Sequence, residues 1–222
     1  MVSVKICGLT NESDLRNAIE AGADRVGFVL VASSPRHVSF EKASELVGIA
    51  NEAGADVWVV AGWKAGGAPG QDALEAFISE TPELGAIQLH GGETPADLAD
   101  FARRFPLAPI VKAIGISGRR DLEQVEDYPK ADEFLFDAKP PKGATREGGH
   151  GRAFDWSILK GFDPGDQREW TLSGGLTPEN VADAIRISGA QAVDVSSGVE
   201  ASPGIKDPAK VAAFIKAAKA AG

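Results

Sequence analysis

The 222-residue sequence holds one cysteine, one methionine, one tyrosine and three histidines. A single cysteine excludes an internal disulfide, and with it the stapled scaffolds of small secreted domains; it suits a reducing compartment. The few histidines and the lone cysteine show no HxxxH or CxxC spacing, so no metal is expected. No apolar run reaches the ~20 residues that a membrane-spanning helix needs. No charged-then-apolar leader opens the chain, so no export signal is expected. A GxGxxG turn after a strand is also missing, which removes the dinucleotide fingerprint and leaves no cofactor expected. Positive charge is short: 23 Lys and Arg stand against 32 Asp and Glu, a net charge of −9. That balance argues against nucleic acid or an anionic membrane as a partner. A small anion stays open, because local backbone donors bind phosphate even on an acidic protein. The expectation is a cytoplasmic, single-domain protein acting on a small molecule with its own side chains.

What is present fits one compact domain with a full core, at 43% hydrophobic and 25% charged residues. Apolar or alternating runs mark strands at 2–7, 25–30, 57–61, 86–90, 109–114, 133–137, 169–172 and 192–195. Between them, helical patterns and caps fall at 11–22, 40–53, 71–79, 94–104, around 119–126, from about 155, at 178–187 and at 207–220. Strict alternation predicts a parallel sheet. Eight such units predict closure into a single-domain (β/α)₈ TIM barrel spanning residues 1–222. One connection, 138–152, is rich in Pro, Lys and Gly and too long to be routine; loops of that size usually serve function.

In such a barrel, chemistry gathers where the C-terminal strand ends meet. Those ends carry Cys7, Gln88 and His90, Lys112, Asp137, Ser173-Gly174-Gly175, and Asp194 with Ser196-Ser197-Gly198; Arg36 lies in the second loop. Cys7 and Asp137 sit on roughly opposite sides of the mouth, which suits two proton-transfer groups; the bland alternatives are a core thiol and a carboxylate paired with Lys139. Arg36 can hold a carboxylate bidentately, or it is an exposed loop arginine. Gln88 and His90 share one strand face, and Asp194 ends the eighth strand, so all three are candidate substrate contacts. Glycine turns after the seventh and eighth strands, at Gly174, Gly175, Ser196, Ser197 and Gly198, are where barrels bind phosphate. Gly149 in the long sixth loop is a candidate for further amide donors.

Several segments carry a family likeness. Lys5-Ile6-Cys7-Gly8-Leu9-Thr10, Gly27-Phe28-Val29, Ser34-Pro35-Arg36, Gln88-Leu89-His90-Gly91, Phe136-Asp137, Gly148-Gly149, Gly174-Gly175-Leu176 and Val193 through Glu200 resemble the phosphoribosylanthranilate isomerase family from end to end. The resemblance implies a step of tryptophan biosynthesis, an Amadori rearrangement. N-(5'-phosphoribosyl)anthranilate becomes 1-(2-carboxyphenylamino)-1-deoxyribulose 5-phosphate without a cofactor. By resemblance Asp137 is the general acid, Cys7 the general base, Arg36 the anthranilate-carboxylate partner, and the last two loops hold phosphate. Ordinary pKa values of about 8.5 for a thiol and about 3.9 for a carboxyl leave the needed thiolate and acid inverted, by roughly 6 kcal/mol. Lys5, on the face of Cys7, is the candidate cation that narrows this gap. The chain departs from the family at Gly62-Trp63-Lys64, at Ser173 and at His150. Related phosphate-binding isomerases, indole-forming barrels and a non-catalytic phosphosugar-binding barrel are the alternatives. A monomer is expected, with a homodimer as the alternative.

Overall fold

A computed structural model describes residues 1–139 and 153–222. Eight strands, β1 (Ser3–Cys7), β2 (Arg25–Val29), β3 (Asp56–Ala61), β4 (Ala86–Leu89), β5 (Ile110–Ile116), β6 (Glu133–Ala138), β7 (Glu169–Leu172) and β8 (Ala192–Val195), pair in sequence order as a closed barrel. Every neighbouring pair is parallel, and β1 closes on β8 with Lys5 opposite Asp194. The expected TIM barrel is therefore the observed fold.

Alternation along each strand sorts the side chains. Val4, Ile6, Phe28, Val59, Phe134 and Phe136 turn outward into one continuous core beneath the helices. Trp58, Ala86, Val111, Ala113 and Leu135 fill the barrel interior as a separate cluster. Cys7, Val29 and Val60 form a third cluster.

The helices α1 (Glu12–Glu20), α2 (Phe40–Glu52), α3 (Gln71–Glu80), α4 (Pro95–Arg104), α5 (Val181–Ser188) and α6 (Pro208–Ala221) form the outer layer. Their starts are local chemistry. Asn11 and Ser39 accept from backbone amides at the heads of α1 and α2, and Thr94 and Asp97 make a reciprocal capping box on α4. Among the described residues no helix is long and apolar enough to cross a membrane.

Three stretches differ from the sequence expectation. The segment after β5 is a 3-10 helix, Arg119–Asp127, which buries only Leu122 and Val125. The segment from Asp155 is a single 3-10 turn, Trp156–Leu159, followed at Gly161 by a left-handed backbone, φ +70°. After β8, a 3-10 turn at Ser197–Val199 leads into an unforeseen hairpin, β9 (Glu200–Ser202) and β10 (Ile205–Lys206).

Candidate active site

At the barrel mouth lies a cavity of about 370 Å³, a size suited to a small molecule. Cys7, Arg36, Gln88, His90, Asp137 and Asp194 border it, as do Gly174, Gly175 and Ser196 to Gly198. Of the strand-end and loop candidates among the described residues, all but Lys112 thus share one cavity. Gly149 lies outside those residues, as does His150.

Cys7 is a free thiol at the end of β1, with Lys5 one inward position below it. The two side chains crowd over Gly27 on β2: a Cβ there would stand 2.9 Å from the Cys7 sulfur and 3.2 Å from Lys5 Cε. Burial pushes the thiol above its ordinary value; Lys5 and Lys206 pull it down and Asp194 adds to the rise, and burial prevails. The cation sought in the sequence is therefore beside Cys7, but it does not bring the thiol into the neutral range. Burial likewise works against the Lys5 ammonium, yet Asp194 and Cys7 outweigh it and hold its pKa above the usual lysine value.

From Lys5 a line of polar contacts crosses the barrel. Lys5 Nζ donates to Asp194 Oδ1 at 2.9 Å and to Gln88 Oε1 at 3.0 Å. Gln88 Nε2 meets His90 Nδ1 at 2.8 Å, and His90 Nε2 lies 3.4 Å from Asp137 Oδ2. Asp137 Oδ1 accepts from the Ala138 N–H at 2.7 Å, while Lys139 pairs with Asp121 rather than with Asp137. Ser173 Oγ donates to Asp194 Oδ2 at 2.9 Å and so joins the same network.

Arg36 is not the exposed loop arginine that its sequence context allowed. Its Nε and Nη2 donate to the two oxygens of Glu200 at 2.6 Å and 2.8 Å. That grip takes one edge of the guanidinium fork. Among the described residues Nη1 has no partner, so the Nη1–Nη2 edge remains for a second carboxylate. Lys206 Nζ joins Glu200 Oε1 at 3.2 Å and the Ser196 carbonyl oxygen at 3.1 Å. Burial disfavours the charged form of Glu200, but Arg36 and Lys206 overcome this and hold its carboxyl below the usual range. Glu200 and Lys206, both in the hairpin after β8, were not picked out as site residues from the sequence. Glu200 ends a stretch that carries the family likeness, but neither residue directly follows a barrel strand, so strand-end position did not mark them.

The two glycine turns offer bare amides. Among the described residues the N–H groups of Gly174, Gly175, Ser197 and Gly198 have no protein acceptor, and all four residues border the cavity. Gly174 adopts φ +86°, and a Cβ on it would lie 2.4 Å from the Ala138 nitrogen. A side chain is excluded there on both counts.

Lys112 corrects the sequence expectation. It alternates with the interior residues Val111 and Ala113, so it points outward from the barrel. There its Nζ is held by Glu93 at 2.6 Å and by the Gly91 carbonyl at 3.0 Å, beneath the loop that carries His90. At the unusual end of β3, Gly62 borders the cavity while Trp63 packs away from it between Phe101 and Phe105. Among the described residues no group of three or more His, Cys, Asp or Glu is arranged for a metal ion.

The family model for N-(5'phosphoribosyl)anthranilate (PRA) isomerase matches residues 4–217. The chain belongs to the phosphoribosylanthranilate isomerase family. The N-(5'-phosphoribosyl)anthranilate isomerase of Cereibacter sphaeroides is 45% identical over 98% of this chain and 99% of its own. That of Paramagnetospirillum magneticum is 48% identical over 98% and 97%. Among solved structures, the phosphoribosyl anthranilate isomerase of Thermotoga maritima superposes with a TM-score of 0.83 at 38% identity, covering 99% of this chain and all of that one. Another structure of this family, in complex with reduced 1-(o-carboxyphenylamino)-1-deoxyribulose 5-phosphate, gives 0.80 at 36% identity, with 99% and 100% coverage.

Proposed function

We propose that this chain converts N-(5'-phosphoribosyl)anthranilate to 1-(2-carboxyphenylamino)-1-deoxyribulose 5-phosphate, with Asp137 as acid and Cys7 as base. One observation carries the assignment of roles: a thiol, a carboxyl, a half-used guanidinium edge and four bare amides border a single cavity. Each matches one part of the substrate.

The phosphate is received by the N–H groups of Gly174, Gly175, Ser197 and Gly198. The anthranilate carboxylate takes the Nη1–Nη2 edge of Arg36, which Glu200 holds from the other side. Protonated Asp137 gives its proton to the ribose ring oxygen, and the C1'–O bond breaks to leave an iminium. The Cys7 thiolate then removes the C2' proton, and the electron pair neutralises the iminium as an enolamine. The enol proton returns at C1' and the product is the ketone. Isomerisation leaves the net proton count unchanged, so thiol and carboxylate must exchange their protons back before the next turnover.

The proposed ligand is a phosphorylated small molecule, and the proposed setting is a cytoplasmic monomer. In support, the large apolar side chains exposed among the described residues are few: Met1, Leu107, Ile187 and Ile205. A solved relative from Thermotoga maritima is described as monomers generated from a dimeric isomerase, so light scattering decides between the two states here. The functional test follows substrate fluorescence with freshly generated phosphoribosylanthranilate for wild type, Cys7→Ser and Asp137→Asn. Turnover by wild type alone is expected. Turnover surviving both substitutions would overturn the acid and base roles, and no turnover by any protein would overturn the activity.

A further inference from the structure

We propose that Gln88 is a positioning residue that fixes the tautomer of His90, placing the ring proton on Nε2 opposite Asp137. The argument is one of donors and acceptors. A lysine ammonium has three N–H donors and no acceptor. Lys5 is fully buried inside the barrel and spends one donor on Asp194 and another on Gln88. The Gln88 atom facing Lys5 must therefore be its amide oxygen. That leaves the Gln88 amide nitrogen, a pure donor, 2.8 Å from His90 Nδ1. Nδ1 must then accept, and the single proton of the neutral ring sits on Nε2, 3.4 Å from Asp137 Oδ2. Such a contact is long for a hydrogen bond, and contacts of this kind shorten once substrate fills a site. With the Ala138 N–H already on Oδ1, both carboxyl oxygens of Asp137 then have a donor, which fixes the orientation of the group.

Four strands contribute to this line: β8 with Asp194, β1 with Lys5, β4 with Gln88 and β6 with Asp137. Among the described residues the other titratable groups around the β4 end include Cys7 on the mouth side and Lys112 with Glu93 on the outer side, the last two paired with each other. The line orients but does not conduct, because an amide passes no proton between its oxygen and its nitrogen. Its effect on turnover rests on the role proposed above for Asp137; the tautomer itself does not.

The test is nitrogen NMR of ¹⁵N-histidine-labelled protein at alkaline pH, with His90→Gln used to assign the ring signals among the three histidines. Wild type is expected to show an unprotonated Nδ1 and a protonated Nε2. Gln88→Glu, which sets a carboxylate against Nδ1, is expected to draw the proton to Nδ1. Gln88→Met, which adds no buried charge, is expected to move the unprotonated Nδ1 signal downfield as it loses its donor. In both variants kcat should fall by about 10- to 100-fold with KM little changed. A proton on Nδ1 in wild type, or ring signals unchanged in Gln88→Met, would overturn the arrangement. Altered ring signals with undiminished kcat would overturn the positioning role. If wild type turns over no phosphoribosylanthranilate, the activity assignment fails, and the ring signals still decide for or against the tautomer.

Discussion

Arg36 and Glu200 clasp each other through two hydrogen bonds of 2.6 Å and 2.8 Å across 164 residues of sequence. The pair is almost fully buried, so the carboxylate that it presents to one side of the guanidinium fixes which edge the cavity sees. Breaking a buried pair by removing one partner leaves the other charge uncompensated and costs about 3–5 kcal/mol. Glu200→Gln should therefore lower the free energy of unfolding by about 3 kcal/mol in urea titrations. The same variant should raise KM by about tenfold or more, because Arg36 is no longer held in place. Unchanged KM would separate Glu200 from substrate binding.

The buried thiol gives a pH dependence with a definite sign. The base is the thiolate, and burial holds the Cys7 pKa above its ordinary value. The active form pairs that thiolate with a protonated carboxyl, and it holds as many protons as the resting thiol and carboxylate. Log kcat/KM should therefore be flat through the neutral range and fall with a slope of about minus one only above the raised thiol pKa. Stability should fall in that same alkaline range. The folded protein binds this proton more tightly than the unfolded chain. The contribution is thus complete below the unfolded thiol pKa of about 8.5 and is lost as pH climbs through the higher folded value. Lys5, also raised, adds a loss of the same sign at higher pH. Urea midpoints measured from pH 7 upward should show the decline, and Cys7→Ser should remove its first part.

Gly27 tests how closely the base is packed. A Cβ at this position falls 2.9 Å from the Cys7 sulfur and 3.3 Å from its Cα, so one of them must move. Gly27→Ala should cost about 1–3 kcal/mol of stability and lower kcat more than it raises KM. A variant with wild-type kcat would show that the sulfur has room to shift without harm.

Lys5→Met removes the cation beside Cys7 and strands the Asp194 carboxylate inside the barrel. The thiol should titrate still higher when followed by ultraviolet absorbance of the thiolate. Unfolding should need about 3–5 kcal/mol less, since a buried ion pair has been broken. A thiol titration unchanged from wild type would show that Lys5 serves Asp194 and Gln88 alone.

The strands were legible because a parallel barrel buries both faces, so each strand reads as a short run such as Val57-Trp58-Val59-Val60-Ala61 bounded by glycine or charge. The segments after β5 and β6 were less so. Arg119–Asp127 offers only two apolar anchors at helical spacing, and its backbone tightens into a 3-10 helix. The Asp155 start is a genuine cap, with its side chain accepting from Ser157, but the chain turns at Gly161 after one turn. The hairpin of Glu200 to Lys206 has strands too short for any periodicity to register. Within the site, strand-end position located Cys7, Gln88, His90, Asp137 and Asp194, because a residue that follows an apolar run is bound to reach the mouth. It misplaced Lys112, since one step along a strand reverses the face. Pairings across long sequence separation, such as Arg36 with Glu200 or Lys112 with Glu93, leave no local pattern to find.

The seam of the barrel joins its first strand to its last, with Lys5 set beside Asp194. β1 precedes β8 along the chain by the whole barrel, so the segment bearing Cys7 leaves the ribosome well ahead of the strand that holds its lysine neighbour. Until β8 docks, Lys5 lacks its Asp194 partner and the barrel around the thiol is open. Closure of that seam completes the surroundings of Cys7, and a nascent chain ending before Ala192 still lacks the Asp194 carboxylate, the Ser196-Ser197-Gly198 turn and Glu200.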